Sequence, residues 1–203
     1  MKLVKFKKIN KKLNFFQLKD IISIINSENR TSILSKLSKK NLTRFIQQVI
    51  KSNYLELFVV TKRRIIGYAI LAKKPDYLLK SFKKFQLEFC FNLFLNFKFL
   101  TIFNIFISIL NFDKILISDL NKKIISESLN LNLLGINKEY QSRAIGKKFL
   151  EYIFKYSIHK SKYVTCETDN IRSNSFYKKK LNFKSIGKKI RFLKNQDVLA
   201  KKL

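Results

Sequence analysis

The chain has 203 residues, with 43 Lys and Arg against 13 Asp and Glu and a formal net charge of +30. Two cysteines and one histidine exclude a disulfide framework and a zinc cluster. Such charge suits a polyanionic partner, but lysines spread along the whole chain beside abundant Ile, Asn and Phe read first as compositional bias, so no specific nucleic-acid partner is expected.

Residues 2–9 alternate weakly, as a first strand would. No apolar core with a small-residue cleavage site follows the basic start, so a cytoplasmic location is expected. Leu18, Ile21, Ile22 and Ile25 recur at helical spacing. A second helix is expected over 40–52, with Leu42, Phe45, Ile46, Val49 and Ile50 on one face. Residues 55–60 and 65–72 are β-rich runs around Lys62 and Arg63, which reads as a hairpin. Gly67 within it marks a bulge or close backbone packing.

Composition shifts over 77–117. From Phe89 to Phe112 the only charge is Lys98. That length could span a bilayer, but Asn92, Asn96, Asn104, Asn111 and the central lysine oppose it. One or two inserted helices are expected, packed on the sheet, covering a pocket or making a homodimer contact. Peripheral contact with a membrane surface is the less favoured reading.

Leu129 to Leu133 alternates Leu and Asn, as a strand with two different faces does. It runs through Gly135 into a loop with two small residues, Ala144 and Gly146. A helix over 146–160 follows, its stripe being Phe149, Leu150, Ile153, Phe154 and Ser157. Strand, loop and helix start form a candidate phosphate cradle, because the first N–H groups of a helix have no internal partner. Ala144 tolerates positive φ poorly, so an ordinary helical or bridge conformation is expected there. Residues 164–168 read as a buried strand, with Cys166 as a small hydrophobe. Asn170 then opens a helix carrying Ser173, Phe176 and Tyr177. His159, the sole histidine, falls near a helix end among lysines and reads as solvated.

Gln141-x-x-Ala144-x-Gly146, followed by Asn170-x-x-Ser173-x-x-Phe176-Tyr177-x-Lys179 and then Asn182-Phe183, resembles two motifs of the GNAT N-acetyltransferase superfamily. Those motifs read Gln/Arg-x-x-Gly-x-Gly/Ala and Asn-x-x-Ala-x-x-Phe-Tyr-x-Lys-x-Gly-Phe. The resemblance covers residues 129–190. Ala144 and Asn182 stand where the motifs have glycine, and Ser173 where they have alanine. Asparagine is the next best residue for a left-handed helix end.

The resemblance implies an α/β fold: a mixed, mostly antiparallel, twisted central sheet flanked by helices. One domain would span 1–203, with the 77–117 helical insertion between strands three and four. Acetyl-CoA would be the co-substrate, without a metal, and a primary amine would attack its thioester directly. The pantetheine arm would lie along the backbone of Leu134 and Ile136, where that strand splays from the next. The pyrophosphate would rest on the N–H groups of Arg143, Ala144, Ile145 and Gly146, with added charge from Arg143 or Lys147. Gln141 and Asn170 would line the cofactor, and Tyr177 matches the tyrosine that donates to its sulfur. Many relatives carry a glutamate base where this chain has Asn130, which leaves Glu127 as the candidate base. An amino sugar or sugar nucleotide is the first expectation for the acceptor, and a protein N terminus or lysine the second. The rival reading is a basic module that has lost catalysis and binds RNA or an acidic membrane surface.

Overall fold

Residues Ile65–Ala72 are buried along their whole length, so this strand must lie inside a sheet covered on both faces. The computed structural model describes residues 3–28, 33–73, 77, 115–116, 119–191 and 194–203. The main elements in chain order are β1 (Lys5–Ile9), α1 (Phe15–Glu28), α2 (Lys39–Lys51), β2 (Leu55–Thr61), β3 (Ile65–Ala72), β4 (Ile115–Leu116) and α3 (Asp119–Ser126). There follow β5 (Leu129–Ile136), α4 (Ile145–Ser157), β6 (Tyr163–Thr168), α5 (Ile171–Ser175), β7 (Lys184–Arg191) and β8 (Lys194–Lys202). The strands form one sheet in the order β1-β2-β3-β5-β6-β8-β7-β4. Every neighbouring pair is antiparallel except β5 and β6.

Helices α1 and α2 cover one face. Asn14 and Gln17 cap α1 reciprocally, each side chain accepting from the other's N–H, at 2.9 and 3.1 Å. The expected stripe of α1 is buried, with Ile24 added to it. Ser38 caps α2, whose Leu42, Phe45, Ile46 and Val49 are buried and whose Ile50 is partly so. They pack with Leu57, Val59, Tyr68 and Ile70 of the sheet. Helix α4 covers the other face, its expected stripe lying with Phe58, Val60, Ile66 and Leu71.

One residue disturbs the two-face pattern. Ile70 pairs with Leu133 and Leu71 with Leu131, so Asn132 is an extra residue in β5, a bulge. The single face expected for Leu129, Leu131 and Leu133 is thereby broken. Leu129 and Leu131 lie in the α4 core, Leu133 packs against the α1–α2 core, and Leu134 and Ile136 return to the α4 side. Pairing of β5 with β6 ends at the same point, Leu131 with Cys166 being the last register pair.

Neither α3 nor the β7–β8 hairpin was expected from the sequence. The insertion expected over 77–117 lies outside the described residues apart from Tyr77 and Ile115–Leu116. That last pair is a two-residue strand on the edge of β7 rather than helix. Among the described residues no helix is long and apolar enough to cross a membrane.

Both readings of Gly67 hold: the register shifts beside its Val60 partner, and a methyl there would come within 2.4 Å of Ile136 Cδ1. At Gly135 a methyl would meet Tyr68 Cε1 at 2.7 Å and Ile24 Cγ2 at 2.9 Å, so the bare backbone lets α1 settle on β5. Gly135→Ala should lower stability by about 2 kcal/mol through overpacking, which is roughly 4–8 °C in Tm for a chain of this size. An unchanged melting curve would show that α1 sits farther from β5.

Candidate active site

The open edge of β5 follows from its pairing with β3. The Asn137 N–H donates to the Ile66 carbonyl at 2.9 Å. Alternation then makes Tyr68–Gly135 and Ile70–Leu133 the hydrogen-bonded pairs. The backbone groups of Leu134 and Ile136 therefore point the other way, toward a gap that β6 has already left. Gln141 Nε2 donates to the Ile136 carbonyl at 2.8 Å and to Glu28 Oε2 at 2.5 Å. Its side chain thus ties the loop to the end of β5 and to the last residue of α1.

The chain next makes a 3-10 turn over Lys138–Tyr140, capped by Asn137. Ser142 and Ala144 then adopt positive φ, 61° and 57°. Ala144 is left-handed, contrary to the ordinary conformation expected of it. That conformation costs a residue with a Cβ about 1–2 kcal/mol. Alanine also lacks a side-chain oxygen, and α4 has no side-chain cap. By contrast Asn14, Ser38 and Asn170 cap α1, α2 and α5. Lys148 donates to the Ala144 carbonyl at 3.0 Å, the first bond of the helix ladder. The N–H groups of Ile145, Gly146 and Lys147 therefore project from a 13-residue helix, at the positive end of its dipole. A methyl on Gly146 would meet Phe176 at 3.6 Å and Ile136 at 3.9 Å, both ordinary contacts, so packing alone does not require glycine there. Arg143 is exposed and lies 6.0 Å from the Tyr140 ring, and Lys147 leans toward Glu151 at 3.8 Å.

Beyond β6, Asn170 Oδ1 accepts from the N–H groups of Arg172 and Ser173, at 2.8 and 3.3 Å. The helix widens into a π turn over Phe176–Lys180. Asn182 ends it with φ 58°, left-handed as expected. Tyr177 is 7% exposed, its ring between Phe176 and Phe183 at 5.5 and 5.3 Å. Burial, with a smaller push from Cys166, holds its phenol well above the ordinary tyrosine value. Its hydroxyl has no hydrogen-bond partner among the described residues. Along α5 runs a cleft of about 860 Å³, where Arg172, Lys179 and Lys180 stand against one acid, Asp169. Sequence reasoning missed these cations because the whole chain is lysine-rich.

Glu127 is not brought to this gap. It is exposed in the turn ahead of β5, and its carbonyl accepts from Ser161 at 2.6 Å. The length of β5 lies between it and Ile136, about 25 Å at roughly 3.3 Å per residue. Asn130 is buried on the face away from α4 and donates to Thr165 Oγ1 at 3.2 Å, and that hydroxyl is hydrogen-bonded to Ser128 Oγ at 2.8 Å. The sequence did not reveal this line, since Ser128 and Thr165 are 37 residues apart and meet only through the parallel register. No group of three His, Cys, Asp or Glu side chains able to hold a metal occurs among the described residues.

Ala144→Gly should stabilise the fold. Relief of about 1–2 kcal/mol, less the ~0.4–1 kcal/mol of extra chain entropy that glycine brings, leaves a gain of up to about 1 kcal/mol. Urea unfolding would read this as a higher midpoint at constant slope. A lower midpoint would contradict a left-handed Ala144.

Residues 125–183 match the model of the Acetyltransferase (GNAT) family. No curated protein matches the chain. Among solved structures, an acetyltransferase from Thermus thermophilus superposes with a TM-score of 0.57 at 12% identity, over 100% of both chains. A GNAT family acetyltransferase from Elizabethkingia anophelis, solved with acetyl-CoA bound, has a TM-score of 0.55 at 10% identity, over 98% of each chain. The ribosomal-protein-S18-alanine N-acetyltransferase of Escherichia coli has a TM-score of 0.54 at 11% identity, over 98% of this chain and 94% of that one. At such identities these structures establish the fold, whereas the matched segment carries the family. Residues 125–183 are thus similar to the GNAT acetyltransferases, and they are set in a sheet of the same class.

Proposed function

We propose that this protein is an acetyltransferase that moves an acetyl group from acetyl-CoA to a primary amine by direct attack, without a covalent enzyme intermediate. The observation that carries the proposal is an uncapped helix N terminus beside a strand edge that its neighbour has left. In this reading the pyrophosphate rests on the N–H groups from Arg143 to Gly146, with charge from Arg143 or Lys147. Amide groups of the pantetheine arm take up the edge of Leu134 and Ile136. Arg172, Lys179 and Lys180 suit the phosphate-rich end of the cofactor. Gln141 acts from behind, by holding Ile136 and the loop in place.

In the proposed step the amine nitrogen bonds to the thioester carbonyl carbon and the C–S bond breaks. The Ile136 N–H stabilises the negative charge that grows on the carbonyl oxygen. Tyr177 gives its proton to the departing sulfur. Asn130 has no carboxylate and is buried against Thr165, and Glu127 is remote, so the amine proton leaves through water held at strand carbonyls.

An amino sugar borne on a nucleotide is the proposed acceptor, because the cationic surface suits an anionic substrate. A protein amine is the second reading, prompted by the E. coli neighbour named for one. Cytoplasmic placement belongs to the same proposal, since acetyl-CoA and a reduced Cys166 both suit that compartment. So does a single domain, which the one continuous sheet supports.

Calorimetric titration with acetyl-CoA, with ATP as the anion control, tests the reading first. Saturable binding that ATP does not mimic is expected. Binding that ATP matches and salt abolishes would favour a basic module without catalysis. Gly146→Asp should leave folding intact, because an acid in the first turn suits the helix dipole. It should nevertheless weaken acetyl-CoA by about a hundredfold, near 2.7 kcal/mol. Undiminished affinity would move the pyrophosphate away from α4.

Tyr177→Phe should lower kcat by about a hundredfold and leave acetyl-CoA affinity nearly unchanged. Because its phenol is held above the ordinary value of 10, the wild-type enzyme should lose no activity through this group until the pH passes 10. Unchanged turnover in the variant would remove Tyr177 from the acid role.

A further inference from the structure

The first turn of α1 exposes two adjacent aromatic rings, whereas the other large apolar side chains exposed among the described residues, Leu3, Tyr54, Ile158 and Ile171, are far apart in the sequence. Phe15 is 73% and Phe16 74% exposed, and their rings meet edge-on at 5.8 Å. Phe15 keeps the angular position of the buried stripe, three residues before Leu18 and seven before Ile22, but it overhangs the end of the core. Single exposed apolar side chains are ordinary on protein surfaces, whereas an adjacent pair of large rings at one tip is not scatter.

The ground around the pair is cationic. Lys11, Lys12 and Lys19 are exposed, and so are Lys5 and Lys7 of the edge strand β1. Residues 1–19 contain no Asp or Glu. The first acid, Asp20, accepts from the Ile65 N–H at 3.0 Å. Lys8 and Lys160 both bond to Glu56, whose single charge is thus already matched by two lysines.

We propose that residues 10–19 form a docking surface for an anionic lipid membrane. The two phenylalanines enter the boundary between headgroups and acyl chains, while the flanking lysines lie against the anionic headgroups. Sequence alone did not favour membrane contact, and placed it in the apolar insertion rather than here. Exposure of this ring pair on an acid-free stretch reverses that preference, and the inference does not depend on acetyl transfer. Charge complementarity selects a lipid surface over a second copy of the chain, because two copies at +30 would bring the same lysines together.

Flotation of the full chain with phosphatidylcholine vesicles, with and without phosphatidylglycerol, tests the proposal. The wild type should float with the anionic vesicles, not with the neutral ones, and added salt should weaken the binding. A Phe15→Ser/Phe16→Ser variant should lose about a hundredfold in partition, with unchanged circular dichroism because neither ring is in the core. Lys11→Gln/Lys12→Gln should also weaken it, by about tenfold. Anionic-vesicle binding that survives loss of both rings would overturn the proposal, as would equal binding to neutral vesicles. Sedimentation showing a dimer that the Phe variant splits, with no vesicle binding by the wild type, would overturn it in favour of a second copy.

Discussion

The parting of β5 and β6 is the constraint on which the remaining architecture depends. Two parallel strands side by side would satisfy each other's backbone groups along their length. Here they do so over three residues, Leu129–Leu131 against Val164–Cys166, and then separate. Beyond that point β5 keeps its partner on the β3 side and offers bare peptide groups on the other. Such groups need a polar partner: Gln141 supplies one to the Ile136 carbonyl, and solvent or a ligand must supply the rest. Because the strands run in parallel, both end at the same rim, and the helices that follow them both begin there. That is why α4 and α5 present their N termini to one gap.

The surroundings of the gap forgo stability locally. Ala144 holds a left-handed conformation without being glycine, and α4 starts without the side-chain oxygen that caps α1, α2 and α5. A capped start typically contributes about 1 kcal/mol. Strain and open donors fall within four residues of each other, at the point where an anion would restore what the chain lacks. The two cores on either face of the sheet, filled by the α1–α2 pair and by α4, supply the stability that tolerates this. Tyr177 belongs to the second core. Packing against Phe176 and Phe183 both orients its hydroxyl and keeps it protonated.

Elements with strong apolar periodicity were legible in the sequence. The stripes of α1, α2 and α4 are buried as their spacing implied, and the β2–β3 hairpin falls where expected. The β7–β8 hairpin escaped because its strands carry five and six polar residues around few apolar ones, and lysine is everywhere in this chain. At the candidate site, the order of strand, loop and helix start was readable from small residues, and the next helix start from an N-cap asparagine. The handedness of Ala144 was not, since side-chain preference argued against what the surrounding loop enforces. Glu127 was misplaced for a related reason: an ideal strand drawn through Leu129–Leu133 says nothing of where pairing stops. The doublet Leu133–Leu134, both partly buried, was the one break in the alternation, and a strand covered on both faces accepts such a doublet without a bulge.

That same doublet has a bearing on which length changes the chain could survive. Loss of one residue from a paired strand ordinarily turns all that follows to the wrong face. Removing Asn132 would do the opposite. Leu131 and Leu133 would become neighbours on opposite faces, as their partners Leu71 and Ile70 already are, and every side chain from Leu133 to Ile136 would keep its present core. What would vanish is the bend. Deletion at this one position would leave a protein that folds and a strand free to follow β6 straight across the gap, so the extra residue serves the opening and not the fold.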